Sequence, residues 1–166
     1  MDSNLSLEIG FKGQLKLNAQ AVPLQEGYLK LGGIVSSAQT NGLKFGVVCS
    51  ADPDSPNLIV AGKASGNVVR GIVVFDDAVA QNAPAHPDRY LADMPCAFIT
   101  KGLVKVQSWP TDETNQIEPV IGAKVEFKDA DGTLAFVSST ADSDHTLLSG
   151  AEVVEVTNDG AYVWLA

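Results

Sequence analysis

The chain has 166 residues, 45% of them hydrophobic and 7% aromatic, enough for one domain with a real core. Charged residues make up only 19%, and acids outnumber bases to leave a net charge of −9. An acidic surface repels phosphate backbones and anionic membranes, which argues against nucleic acid or lipid as partners.

Residues 1–31 are polar, and Gly10, Gly13 and Gly27 break any helical period. The stretch predicts an extended arm with a strand or two, one of them through Leu15 and Leu17. Residues 32–166 then read as a single β domain. The opening MDSNLSLEIGFKG has neither a basic n-region nor an apolar h-region, so no signal peptide is expected. No apolar run approaches the roughly 20 residues of a membrane helix. The expectation is a soluble protein made in the cytoplasm.

Gly42–Ser50 (GLKFGVVCS) is the first convincing strand, followed by the turn-rich loop Ala51–Asn57. Leu58–Lys63 is a short apolar run. Asn67–Asp77 (NVVRGIVVFDD) fits a buried strand, and Gly71 inside it predicts a bulge or a close backbone approach. Ala78–Tyr90, with Pro84 and Pro87, reads as irregular. Cys49 and Cys96 are well separated and lack histidine neighbours, which predicts two buried free thiols.

Tyr90–Gln107 (YLADMPCAFITKGLVKVQ) is the most ordered stretch. Period-two alternation on either side of Lys101-Gly102 predicts two short strands around a tight turn, with Val104 and Val106 facing the core. Ser108–Pro119 is a polar loop. Gly122–Phe127 and Thr133–Val137 flank the Asp129–Gly132 turn, and Ala151–Thr157 and Ala161–Ala166 flank Asn158-Asp159-Gly160. Both pairs read as hairpins. The segment between them, SSTADSDHTLLSG, reads as polar loop. No sustained helical stripe appears, and AVAQN and LLSGAEVV each allow one helical turn at most. The count is roughly eight to ten short strands, an all-β barrel or sandwich.

The search for chemistry returns little. Asp129, Asp131 and Gly132 resemble a calcium loop, but counting from Asp129 puts glycine at position 4 and Thr140 at position 12, against the required 6 and Glu. Gly62–Asn67 lacks the order of a phosphate loop. Asp142 and Asp144 near His145 offer weak metal ligands with no second His or Cys at ligand spacing. Neither His86 nor His145 has a nucleophile beside it. No catalytic residue, metal or cofactor is therefore expected, and the chain reads as a non-enzyme. Trp164, alternating with Tyr162, is expected in the core. Trp109, opening a loop beside Pro110, reads as a subunit contact, since aromatic anchors recur at interfaces.

The ordered set GFKGQL, LKFGVVCS, VVRGIVVF, Tyr90 with MPCAFITKGLVKV, and GAEVVEV with GAYVWL resembles the capsid cement, or head-decoration, proteins of tailed bacteriophages. The resemblance spans most of the chain. Asp93-Met94-Pro95 departs from it, standing where a Gly-Asp and apolar pair is usual. It implies a small β-barrel of the β-tulip kind with at most a short helix. It also implies a structural virion protein that binds the outside of a phage head through the major capsid protein and stabilises contacts between capsomers. A homo-oligomer is expected on the shell, with a trimer favoured. On this reading Phe11 and Leu15 are apolar anchors of the arm, and Lys12 and Gln14 its polar contacts, pairing with a neighbour by strand addition. A carbohydrate-binding β-sandwich module is the alternative.

Overall fold

The computed structural model describes residues 21–23, 29–76 and 86–166. Among them are twelve β-strands and no helix: β1 (Ala21–Pro23), β2 (Leu29–Val35), β3 (Leu43–Lys44), β4 (Val48–Ala51), β5 (Leu58–Ala61), β6 (Val68–Val73), β7 (Arg89–Tyr90), β8 (Pro95–Val106), β9 (Lys124–Lys128), β10 (Leu134–Val137), β11 (His145–Thr157) and β12 (Gly160–Leu165). The all-β expectation holds.

Everything is hung on β8. The first half of β8 pairs with β2 on one edge and β6 on the other. Through β5 and β4 this ring closes into a five-stranded barrel. The second half of β8 pairs with β12 and β1 instead, and continues an open sheet of order β10-β9-β11-β12-β8. One strand of 12 residues thus belongs to both sheets.

That corrects the expected turn at Lys101-Gly102. The chain does not reverse there. Gly102 has φ 122°, a region closed to residues with a Cβ, and it lets the strand pass from barrel to open sheet. A positive-φ glycine between two alternating runs signals a hairpin and a bent strand equally well. The facing of Val104 and Val106 is as expected, since both are buried.

Two bulges sit beside the crossing. Leu29 pairs with Lys101 and Lys30 with Ile99, which leaves Thr100 as the extra residue of β8. Cys49 pairs with Gly71 and Ser50 with Val69, which leaves Arg70 as the extra residue of β6. The bulged backbones touch: a Cβ on Gly71 would lie 2.0 Å from the Ile99 carbonyl oxygen. The sequence signal at Gly71, bulge or close approach, turns out to be both.

The run Gly42–Ser50 is not one strand. It breaks at Gly46, after which β4 enters the barrel, while β3 pairs with β7. Phe45 between them is buried edge-on against Tyr90 and Phe75, with ring centroids 5.0 and 5.5 Å away. Both C-terminal hairpins form as read. The polar stretch before the last one is shorter than expected, because β11 begins at His145 and pairs with β9. Trp164 is not core: it is 39% exposed, because its neighbours Val163 and Leu165 take the buried face. The 108–119 loop lies against the outer edge of β10, with Ile117 N donating to Phe136 O at 2.8 Å. It covers an edge otherwise open to foreign strands. The turn between β9 and β10 reaches the barrel, where Val48 N donates to Gly132 O and Lys63 N to Asp129 O.

On the open sheet Lys105 is 3% exposed, yet its ammonium reaches Asp159 Oδ2 at 2.6 Å and lies 5.6 Å from the Tyr162 ring centroid. The hydrogen bond from Lys105 holds the Asp159 carboxyl below its ordinary range. A depressed carboxyl stabilises the fold above its unfolded value of about 4 and loses that contribution as pH falls through the lower folded value. The melting temperature of Asp159→Asn should therefore fall below that of the parent protein at pH 6, with the gap closing toward pH 2. A gap independent of pH would remove the ion pair from the account. At the crossing, Gly71→Ala should lower unfolding free energy by about 3 kcal/mol, because backbone rather than a flexible side chain blocks the added methyl. An unchanged urea midpoint would show that β6 and β8 do not meet this closely.

Candidate functional site

The chemistry-bearing residues gather under the 108–119 loop. Alternation puts Glu126 of β9 between two buried apolar neighbours, Val125 and Phe127, and Glu126 itself is fully buried. Gln116 Nε2 donates to Glu126 Oε1 at 3.1 Å, and Asp142 N donates to Oε2 at 3.0 Å. Asp142 in turn accepts from the backbone N and side-chain Nδ2 of Asn115, at 3.1 and 2.9 Å on Oδ1. His145, at the start of β11, donates from Nδ1 to Asp144 Oδ1 at 2.8 Å. That bond fixes the tautomer and turns Nε2 inward, where it accepts from Gln116 Nε2 at 3.3 Å.

Ligand atoms of Glu126, Asp142 and His145 lie within 4.8 Å of one another, and metal-ligating imidazoles are commonly oriented by a carboxylate on their other nitrogen. Here the facing oxygens and Nε2 already accept N–H bonds. The Gln116 amide bridges Glu126 and His145, and its own Oε1 accepts from the Asp112 and Glu113 backbone amides. The acceptors of Glu126, Asp142 and His145 are met by N–H groups of Asn115, Gln116 and Asp142, and the cluster acts as a polar staple between the loop, β9 and β11. A satisfied network of this kind rigidifies what it joins.

The sequence singled out Asp142, Asp144 and His145 but missed Glu126 and Gln116. A glutamate inside an alternating strand reads as solvent-facing, and nothing local marks Gln116. His86 lies exposed and apart from the cluster. Phe11, Lys12, Gln14 and Leu15 lie outside the described residues. Trp109 is partly buried, edge-on to Phe136 at 5.5 Å between centroids, and its Nε1 donates to Glu118 Oε2 at 3.0 Å.

Cys49 and Cys96 are buried and unpaired with each other, as expected. Burial pushes the Cys49 thiol well above its ordinary value and that of Cys96 up to about 11. Both stay protonated and unreactive near neutral pH. Tyr90 is likewise pushed up by burial, and its hydroxyl donates to Val74 O at 2.7 Å. The surface instead carries exposed apolar side chains, chief among them Val120 and Ile121 at the tip of one turn.

Comparison with protein families matches residues 2–166 to the phage structural cement proteins, described by E217 gp24 and Pam3 gp6. The chain belongs to that family. A search of curated proteins finds no match. The cement protein's role is accordingly structural, in association with the phage capsid. The internally satisfied polar cluster fits such a role, since it holds a loop in place and presents no open reacting position.

Removing the amide tests the staple. Gln116→Ala leaves the buried Glu126 carboxylate short of a donor and should destabilise the cement protein by roughly 1–3 kcal/mol. Proteolysis within residues 108–119 should accelerate with it. Equal urea midpoints and equal cleavage rates would mean that the loop is held by other contacts.

Proposed function

We propose that this cement protein binds the outer surface of a phage head, where it contacts the major capsid protein, bridges capsomers and stabilises the shell. The family match over residues 2–166 carries the reading. It is supported by the fused two-sheet body, whose apolar side chains Val120 and Ile121 stand out at 55% and 74% exposure. A rigid body needs no reaction to act in this way. An interface of standard size, about 1,600 Å² in total, gives affinities from micromolar to picomolar, and many copies on one shell add avidity.

Residues 1–31 act in this reading as a grappling arm upstream of the 32–166 body. Ala21–Pro23 and Leu29–Leu31 already lie on β8, which leaves the residues before Ala21, with Phe11, Lys12, Gln14 and Leu15, to engage a neighbouring subunit or the shell. Trp109 serves as a further contact. On the shell the protein assembles as a homo-oligomer, with a trimer favoured.

The experiment mixes purified protein with undecorated heads, pellets the heads and then heats them. Full-length protein should co-sediment and raise the temperature at which heads release DNA. A chain lacking Met1–Ile9 should remain folded and bind more weakly. Equal binding by the truncated chain would reject the arm, and loss of its fold would make the arm part of the body.

A further inference from the structure

The two bulges at the β6–β8 contact open onto a groove of about 400 Å³ between the barrel and the open sheet. Its apolar lining includes Val69, Leu147, Leu148 and Leu165. Its polar lining includes Arg70, Thr100 and Lys63. Three buried side-chain polar atoms in the described residues lack a hydrogen-bond partner, and two of them, Arg70 Nε and Thr100 Oγ1, are in this groove. They belong to the two bulged residues, and a bulge re-aims a side chain out of its ladder position. Neither Arg70 nor Lys63 makes a side-chain hydrogen bond or ion pair among the described residues.

Among the described cations, Lys44, Lys63, Arg70 and Lys101 have no carboxylate partner, and two of these line this groove. Acids exceed bases by 20 to 11, and Lys30, Arg89, Lys105, Lys124 and Lys128 are all paired with carboxylates. Two cations without a carboxylate partner, beside a hydroxyl that has no hydrogen-bond partner, make this groove locally cationic. A buried donor without an acceptor is destabilising, and a matching ligand relieves that cost. The planar fork of arginine suits a carboxylate, which accepts two parallel N–H bonds. The protein's overall negative charge does not defeat this, because acids farther than about 8 Å away are screened at physiological salt.

We propose that the Arg70–Thr100–Lys63 groove is a docking site for an acidic segment of the capsid protein, with an Asp or Glu carboxylate seated on Arg70 and its apolar neighbours against Leu147 and Leu148. The inference rests on the cement reading and names the face that meets the shell. A second copy of this chain is the poorer occupant, since the cationic groove is matched by charge to a partner with a local acidic excess presented outward, while the rest of the two acidic copies would repel.

The test is co-sedimentation with undecorated heads of the phage that encodes this chain, at low and high salt, using Arg70→Gln, Arg70→Glu, Lys63→Glu and Lys44→Glu. Circular dichroism and melting temperature confirm folding of each. Lys44 is unpaired but lines a different groove, so Lys44→Glu matches the charge change of Lys63→Glu and of no other difference at this site. Arg70→Gln and Lys63→Glu should each weaken head binding roughly tenfold or more, Arg70→Glu further, and Lys44→Glu little. The wild-type affinity should fall with salt, and the fall should flatten in Arg70→Gln. If Arg70 variants do not fold, Lys63→Glu against Lys44→Glu decides alone. Wild-type binding with Lys63→Glu undiminished, or with Lys44→Glu weakened equally, overturns the groove and leaves the cement reading standing. Failure of the wild-type protein to bind heads overturns the cement reading itself.

Discussion

The fold depends on one strand satisfying two sheets. A strand has two hydrogen-bonding edges, and β8 uses each edge twice: for β2 then β1, and for β6 then β12. The register of the barrel therefore fixes the register of the open sheet. A slip of one residue would turn the inward side chains of both out at once, so β8 is specified from two directions. Gly102 at the crossing takes a positive φ that side chains rarely adopt, and at Gly71 the Ile99 carbonyl leaves no room for a Cβ. The same crowding forces out Thr100 and Arg70. Their unsatisfied donors follow from the way the two sheets are joined.

Contacts outside the strand ladders tie the body together as well. The 108–119 loop is pinned by the Glu126–Gln116–His145 network, and the β9–β10 turn is tied back to the barrel at Val48. The two thiols are buried and protonated, and the carboxylates of Glu126 and Asp142 accept from neighbouring N–H groups. What remains for partners lies on the surface, as exposed apolar side chains at Val120 and Ile121 and the cationic groove at the sheet junction.

Much of this was legible in the sequence. The two C-terminal hairpins announced themselves through turn residues between alternating runs, and the facing of Val104 and Val106 followed from the same alternation. The ordered set of β motifs pointed to the family. The single strand β8 was not legible, because Lys101-Gly102 carries the same local signal whether the chain reverses or bends. Trp164 was misplaced because alternation gives two faces without saying which is buried. Glu126 and Gln116 were missed because they meet only in three dimensions. Arg70 and Thr100 were missed for a related reason: a bulge is a relation between two strands. Gly71, which hinted at one, could not say which neighbour would be pushed out.

The central claim is that this is a rigid two-sheet body fixed to the outside of a phage head across capsomer boundaries. An electron cryo-microscopy map of decorated heads tests it most directly. The account predicts density for barrel and open sheet on the outer surface, fitted without change at the β8 crossing, with the Arg70 groove turned to the shell. Subunits on the inner surface, or seated wholly within single capsomers, would contradict it.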